Sequence, residues 1–166
     1  VYVVTGSVIG TFLLSLAAGY LAGGRLSERS DSCRILGFFI AIAGVWLILL
    51  PWITGPICDW IFDMGMDEKW GSLLASLFLF AVPTGLLGTV SPTAVRWLTY
   101  RADQSGFNAG LVLAVSTAAS FAGCLATAFY LILYSIRLTL WISGGILTLL
   151  GLLLAGLAVL QRKQDV

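Results

Sequence analysis

The stretch that decides the fold is residues 15–34, which read SLAAGYLAGGRLSERSDSCR. It begins as an uncharged apolar segment and changes abruptly to one that carries Arg25, Glu28 and Arg29. Such a change is typical of a helix that leaves the hydrocarbon core of a membrane. The stretch therefore predicts one edge of a bilayer and indicates that the segments on either side of it are membrane helices.

The composition is that of a multi-pass membrane protein. Hydrophobic residues make up 59% of the 166 residues, charged residues only 10%, and there is no histidine, which excludes an ordinary soluble domain. The net charge of +1, without a dense run of Lys and Arg, excludes nucleic acid as a partner. Because histidine and paired cysteine motifs are missing, we predict no metal and no cofactor of the chain's own. The grooves beside the glycine faces leave room for bound lipid or for a pigment supplied by a partner, and the sequence does not decide whether either is bound.

Apolar segments on both sides of the Arg-rich turn predict an all-α bundle of five membrane helices. The predicted bounds are residues 1–22, 35–50, 71–95, 107–134 and 136–160. Pro51 and Trp52 predict the end of the second helix, and residues 56–66 are expected to form a separate amphipathic helix in the interface. Pro83 predicts a kink or local unwinding at residues 83–85.

Small residues recur on one face of two of these helices. One face carries Ser15, Gly19 and Gly23, and the other carries Ser116, Ser120 and Gly123. Such faces predict close packing against another helix. The alternative is a polar path for a substrate, which these two serines would line together with Thr84, Thr89 and Thr127.

The distribution of positive charge predicts the orientation. One side carries seven Lys and Arg residues and the other two: Arg25, Arg29, Arg34, Arg96, Arg101, Arg162 and Lys163 against Lys69 and Arg137. The Arg-rich turn and the C-terminus are therefore expected in the cytoplasm. Five spans would then place Val1 outside, so we expect an exported N-terminus or a sixth, upstream helix.

The charged turn has two interpretations. It either simply anchors the chain at the membrane surface or serves in gating or in docking a partner, and its residues are Arg25, Glu28 and Arg29.

Residues 19–29, GYLAGGRLSER, resemble the turn between helices two and three of the major facilitator superfamily. With SPTAVR at 91–96, STAASFAG at 116–123 and TAF at 127–129, the chain more closely resembles the membrane domain of the multi-pass spermidine synthase family. That resemblance implies half of a facilitator fold and a missing first helix. It implies no catalytic residue here, because no position matches the nucleotide loop or the paired aspartates of the synthase domain.

The lack of a catalytic group extends to the rest of the chain. No Asp, Glu, Lys or Arg lies in the central part of a predicted helix, and no histidine is present to activate a nucleophile. We therefore predict a non-catalytic accessory subunit of the bacterial inner membrane, in contact with other membrane subunits or with further copies of itself. The alternatives are a transport or channelling module, for example for polyamines, and the membrane part of a polyamine synthase.

Overall fold

This computed structural model describes residues 2–28, 32–99, 105–129, 131 and 135–164, and the elements found there are helices. In chain order they are α1 (Tyr2–Leu26), α2 (Ser32–Asp63), α3 (Glu68–Gly88), α4 (Val90–Leu98), α5 (Ser105–Phe129) and α6 (Ile136–Gln164). Within these ranges, five spans are long and apolar enough to cross a membrane, with α3 and α4 forming one span together. The all-α multi-pass architecture predicted from the sequence is confirmed. Of the predicted extension of the fourth membrane helix to position 134, positions 130 and 132–134 lie outside the described residues.

Helix α2 continues through Pro51 and Pro56 to Asp63. The predicted end at Pro51, and the separate helix at residues 56–66, are therefore wrong. A proline removes one amide donor and bends a helix, whereas an open stretch of backbone in a membrane would leave several polar groups unpaired. The helix accordingly continues past both prolines. The Thr54 hydroxyl, between the two prolines, donates a hydrogen bond of 2.7 Å to the carbonyl of Leu50.

Two tryptophans of α2 contact neighbouring residues of α3. Trp46 and Trp60 lie about four turns apart along this helix. Their contacts are nevertheless with neighbours on α3, since the Trp46 indole bonds the carbonyl of Leu79 and the Trp60 ring packs edge-on against Phe78. Residues before and after the two internal prolines of α2 therefore contact the same part of α3.

Helix α3 passes through Pro83 without interruption, so of the kink or local unwinding predicted at residues 83–85, the unwinding does not occur there. Pro83 has no amide to donate to the carbonyl of Leu79, one turn earlier. That carbonyl instead accepts a hydrogen bond of 3.1 Å from Nε1 of Trp46 on α2. Because the freed acceptor has a partner, the helix can continue across the proline.

The interruption lies at Thr89, between α3 and α4. The Thr89 amide donates to the carbonyl of Leu86 at 3.2 Å, which is the tighter spacing of a 3₁₀ turn. Pro92 then lacks the amide that would reach the carbonyl of Gly88. These two features together end one helix and begin the next with a single residue between them.

The helices form two extensively packed pairs, α2 with α6 and α1 with α3, and a smaller interface between α2 and α3 joins the pairs. Helix α4 packs on α1, and α5 packs on α4. The main contact of α5 with the described part of the chain is through α4, and no residue in the α5 membrane span is buried. The described residues therefore form four closely associated membrane spans, and a fifth span, α5, that stands largely apart.

Two buried threonines differ in how their hydroxyls are satisfied. Thr93 is completely buried and its Oγ1 donates to the carbonyl of Thr89 at 2.8 Å, whereas the buried Oγ1 of Thr11 has no partner among the described residues. We expect Thr93→Val to lower the free energy of unfolding by about 1 kcal/mol, and Thr11→Val to leave it unchanged or raise it. Reversible unfolding in mixed detergent micelles measures both. An equal loss in the two variants would show that the Thr11 hydroxyl is bonded after all.

Candidate functional site

The predicted face on α1 lies in a close interface with α3 and α4. A Cβ atom added to Gly19 would lie 2.9 Å from Cα of Gly88, and one added to Gly23 would lie 2.6 Å from Cα of Thr89. At these distances the backbones themselves are in contact, so only glycine fits. Ser15, one turn earlier, is also buried. The structure therefore places Ser15, Gly19 and Gly23 against helices of the same chain.

A second glycine interface joins α2 and α6, and its α2 half was missed in the sequence. A Cβ atom on Gly44 would lie 2.7 Å from the carbonyl oxygen of Gly144, and one on Gly144 equally close to the carbonyl oxygen of Gly44. Gly37 and Gly151 face each other in the same reciprocal way. Because the later glycine on one helix meets the earlier glycine on the other, the two helices are antiparallel.

The two helices of this interface share one spacing of small residues. In α2 the small positions are Gly37, Ala41 and Gly44, and in α6 they are Gly144, Thr148 and Gly151. Steps of four and three residues alternate, which is the repeat that keeps one line of residues facing a partner along a left-handed helix pair. Searching for a repeat of seven residues, in addition to one of four, would have found Gly37 and Gly44.

Helix α5 carries the same alternating spacing at Ser116, Ser120, Gly123 and Thr127, which we name the α5 seam. All four residues are exposed, and a Cβ atom on Gly123 would meet nothing within 4 Å. The Thr127 hydroxyl donates a hydrogen bond of 2.8 Å to the carbonyl of Gly123, so this hydroxyl has its hydrogen-bond partner within its own helix. The α5 seam thus has the residue pattern of a close helix interface, and no described helix covers Ser120, Gly123 or Thr127.

An apolar groove of about 300 Å³ separates α4 from α5. Apolar residues of both helices line it, together with Ser91 and Ser116. Near one end of this groove, Nδ2 of Asn108 donates to the carbonyl of Leu98 at 2.8 Å and ties the two helices together. Away from this hydrogen bond, the groove separates α4 from α5, so α4 covers little of the α5 surface.

The residues of the predicted polar path are not brought together. Thr84 and Thr89 are buried in the bundle, where the Thr89 hydroxyl donates to the carbonyl of Leu86 at 2.7 Å. Thr127 lies instead on the exposed α5 seam. Two grooves lined by described residues, one between α4 and α5 and one beside α6, contain none of the three threonines.

The charged residues singled out in the sequence lie at the ends of helices. Arg25 is exposed in the last turn of α1, and Glu28 is exposed in the turn that follows, with its amide 3.4 Å from the carbonyl of Arg25. Arg29 lies outside the described residues. At the opposite end Asp59, Asp63 and Asp67 are exposed, and the described residues contain no cluster of carboxylate, thiol or imidazole groups suited to a metal ion.

No protein-family model matches the chain, and comparisons with curated proteins and with solved structures found no match either. The resemblance to half of a facilitator and to the membrane domain of spermidine synthases stays a prediction. What bears on function is therefore the packing of the helices, and above all the contrast between the covered glycine interfaces and the uncovered α5 seam.

Proposed function

We propose that this protein is a non-catalytic accessory subunit that binds a larger membrane complex, or a further copy of itself, through the α5 seam. The observation that supports this most directly is the repeated spacing of small residues. Where that spacing occurs on α2 and α6, each helix is covered by the other, and where it occurs on α5, no described helix covers Ser120, Gly123 or Thr127.

The chemistry of the α5 seam favours a helix as its partner. Small side chains allow two backbones to approach closely, and the resulting van der Waals contacts drive helix association in a membrane, where the hydrophobic effect contributes little. The Ser120 and Thr127 hydroxyls do not project far enough to prevent such an approach. A helix with its own line of small residues, at the same alternating spacing, is the complementary surface.

The location that we propose is the inner membrane of a bacterium, with the C-terminus in the cytoplasm. The support is the excess of Lys and Arg on the side of the turn that follows α1. The transport alternative has less support, because Thr84 and Thr89 are buried in the bundle whereas Thr127 is exposed on α5 and bonded within its own helix.

The test is purification of the native protein in a mild detergent, followed by native mass spectrometry, for the wild type and two variants. We expect Gly123→Leu to reduce recovery of the partner about tenfold, because an added side chain on a close interface costs roughly 1–3 kcal/mol. Ala118→Leu is the matched control, since Ala118 is exposed and lies on the opposite side of the helix from Ser116 and Ser120.

Two results would count against this function. One is a wild-type protein that travels alone, as a monomer, from native membranes. The other is an equal loss of partner in Gly123→Leu and Ala118→Leu, which would show that recovery depends on the folding of α5 and not on its seam.

A further inference from the structure

The interface between α2 and α3 differs in kind from the two glycine interfaces. The α2 glycines Gly37 and Gly44 face α6, and the α3 glycines Gly85 and Gly88 face α1. Each helix therefore uses its close-packing face for a partner other than its neighbour in this interface. What remains between α2 and α3 is a smaller contact that depends on side chains.

One of those side chains makes a hydrogen bond to the backbone. Nε1 of Trp46 on α2 donates to the carbonyl of Leu79 on α3 at 3.1 Å. In a regular helix that carbonyl would accept from the amide of residue 83, but Pro83 has none. A carbonyl without a donor is costly inside a membrane, where no water replaces the bond. Trp46 thus supplies from one helix pair the donor that the other pair lacks.

We propose that Trp46 is a conformational latch, which holds the α1–α3 pair against the α2–α6 pair and whose release allows the two pairs to separate as rigid units. The glycine contacts that hold each pair together do not involve Trp46. At the Asp-rich end, the Trp60–Phe78 ring contact and the approach of Ile61 to Gly71 also join α2 and α3. Toward the Arg-rich side, the described residues also join the pairs through a small contact between α2 and α4, and the separation occurs there by breaking that contact. This inference does not depend on the proposed function.

Distances between spin labels test the latch in a background in which the three cysteines are replaced by serine. Labels at Leu21 on α1 and Leu157 on α6 report the distance between the pairs, and labels at Phe38 and Leu157 report the distance within one pair. All three side chains are exposed. Trp46→Phe removes the indole donor and is expected to lengthen and broaden the distribution between the pairs, while the distribution within the pair stays as in the wild type.

A matched control lies on the same helix. Trp52 is 69% exposed, so Trp52→Phe is expected to change neither distribution. An unchanged distribution between the pairs in folded Trp46→Phe would overturn the latch. So would an equal broadening within the pair, because that result indicates general loosening of the bundle.

The coupling of Trp46 to Pro83 gives a second, independent measurement. With Pro83 intact, Trp46→Phe is expected to increase the unfolding rate roughly fivefold, because the folded state loses the stabilisation of about one hydrogen bond. With Pro83→Ala the helix regains its own donor to Leu79, so the same change at Trp46 has a smaller effect. If Trp46→Phe alone does not fold, the double variant should fold for this reason. Failure of the double variant as well, or an equal effect in both backgrounds, would contradict the proposal.

Discussion

Gly144→Ala is expected to lower the free energy of unfolding by about 2 kcal/mol, whereas Gly145→Ala, at the next position of the same helix, is expected to leave it unchanged or raise it. A Cβ atom on Gly144 would lie 2.7 Å from both the carbonyl oxygen of Gly44 and Cγ1 of Ile48. The carbonyl belongs to the α2 backbone and cannot turn aside, so the helices must move apart. A Cβ atom on Gly145 would meet nothing within 4 Å.

The two variants are best compared side by side, by circular dichroism during unfolding of the protein in mixed micelles. They have the same composition, the same change of side chain and the same intrinsic helix propensity, so the difference between them isolates the contact with α2. If the two variants have the same stability, the α2–α6 interface is looser than the structure shows.

Gly23→Ala is expected to have a comparable effect, about 2 kcal/mol, at the point where α3 passes into α4. A Cβ atom on Gly23 would lie 2.6 Å from Cα of Thr89 and 2.7 Å from Cγ of Pro92. Because the first of these contacts is with backbone, the strain is relieved by displacing the start of α4. Gly24→Ala is the control, since a Cβ atom there would meet nothing within 4 Å.

The displacement of α4 gives this prediction a local readout in addition to stability. Hydrogen exchange followed by mass spectrometry should be faster in the peptide that contains residues 90–98 in Gly23→Ala than in Gly24→Ala. Helix α6 has its glycine interface with α2 and serves as the internal reference. Faster exchange throughout the chain, in place of a change centred on α4, would argue against a specific contact between Gly23 and Thr89.

How far the sequence predicts this fold depends on the range over which each interaction acts. The helices and their number follow from long uncharged segments, a local property. The small-residue face on α1 is also visible locally, but its partner is not, because the same pattern suits any helix that comes close. Gly37 and Gly44 are seven residues apart, so the four-residue spacing that marks the α1 face does not predict them.

The structural effect of each proline also depends on surroundings that the local sequence does not specify. Pro51 is a typical helix end in water, yet in a membrane the helix continues, since interrupting it would leave backbone groups without partners. Pro83 is visible in the sequence as a missing donor, but the donor that replaces it, Trp46, lies on another helix. The residues of the α5 seam were largely predictable, whereas their exposure follows only from the arrangement of all the helices.

The pairing of α2 with α6 has a consequence for how the protein is made. Helices α1, α2 and α3 enter the membrane before α5 and α6 are synthesised, so α1 and α3 can associate early. During that interval the glycine face of α2 has no partner, and its backbone is open to any other helix nearby. A nascent chain that pauses before α6 therefore leaves Gly37 and Gly44 uncovered by the helix that packs on them in the complete bundle.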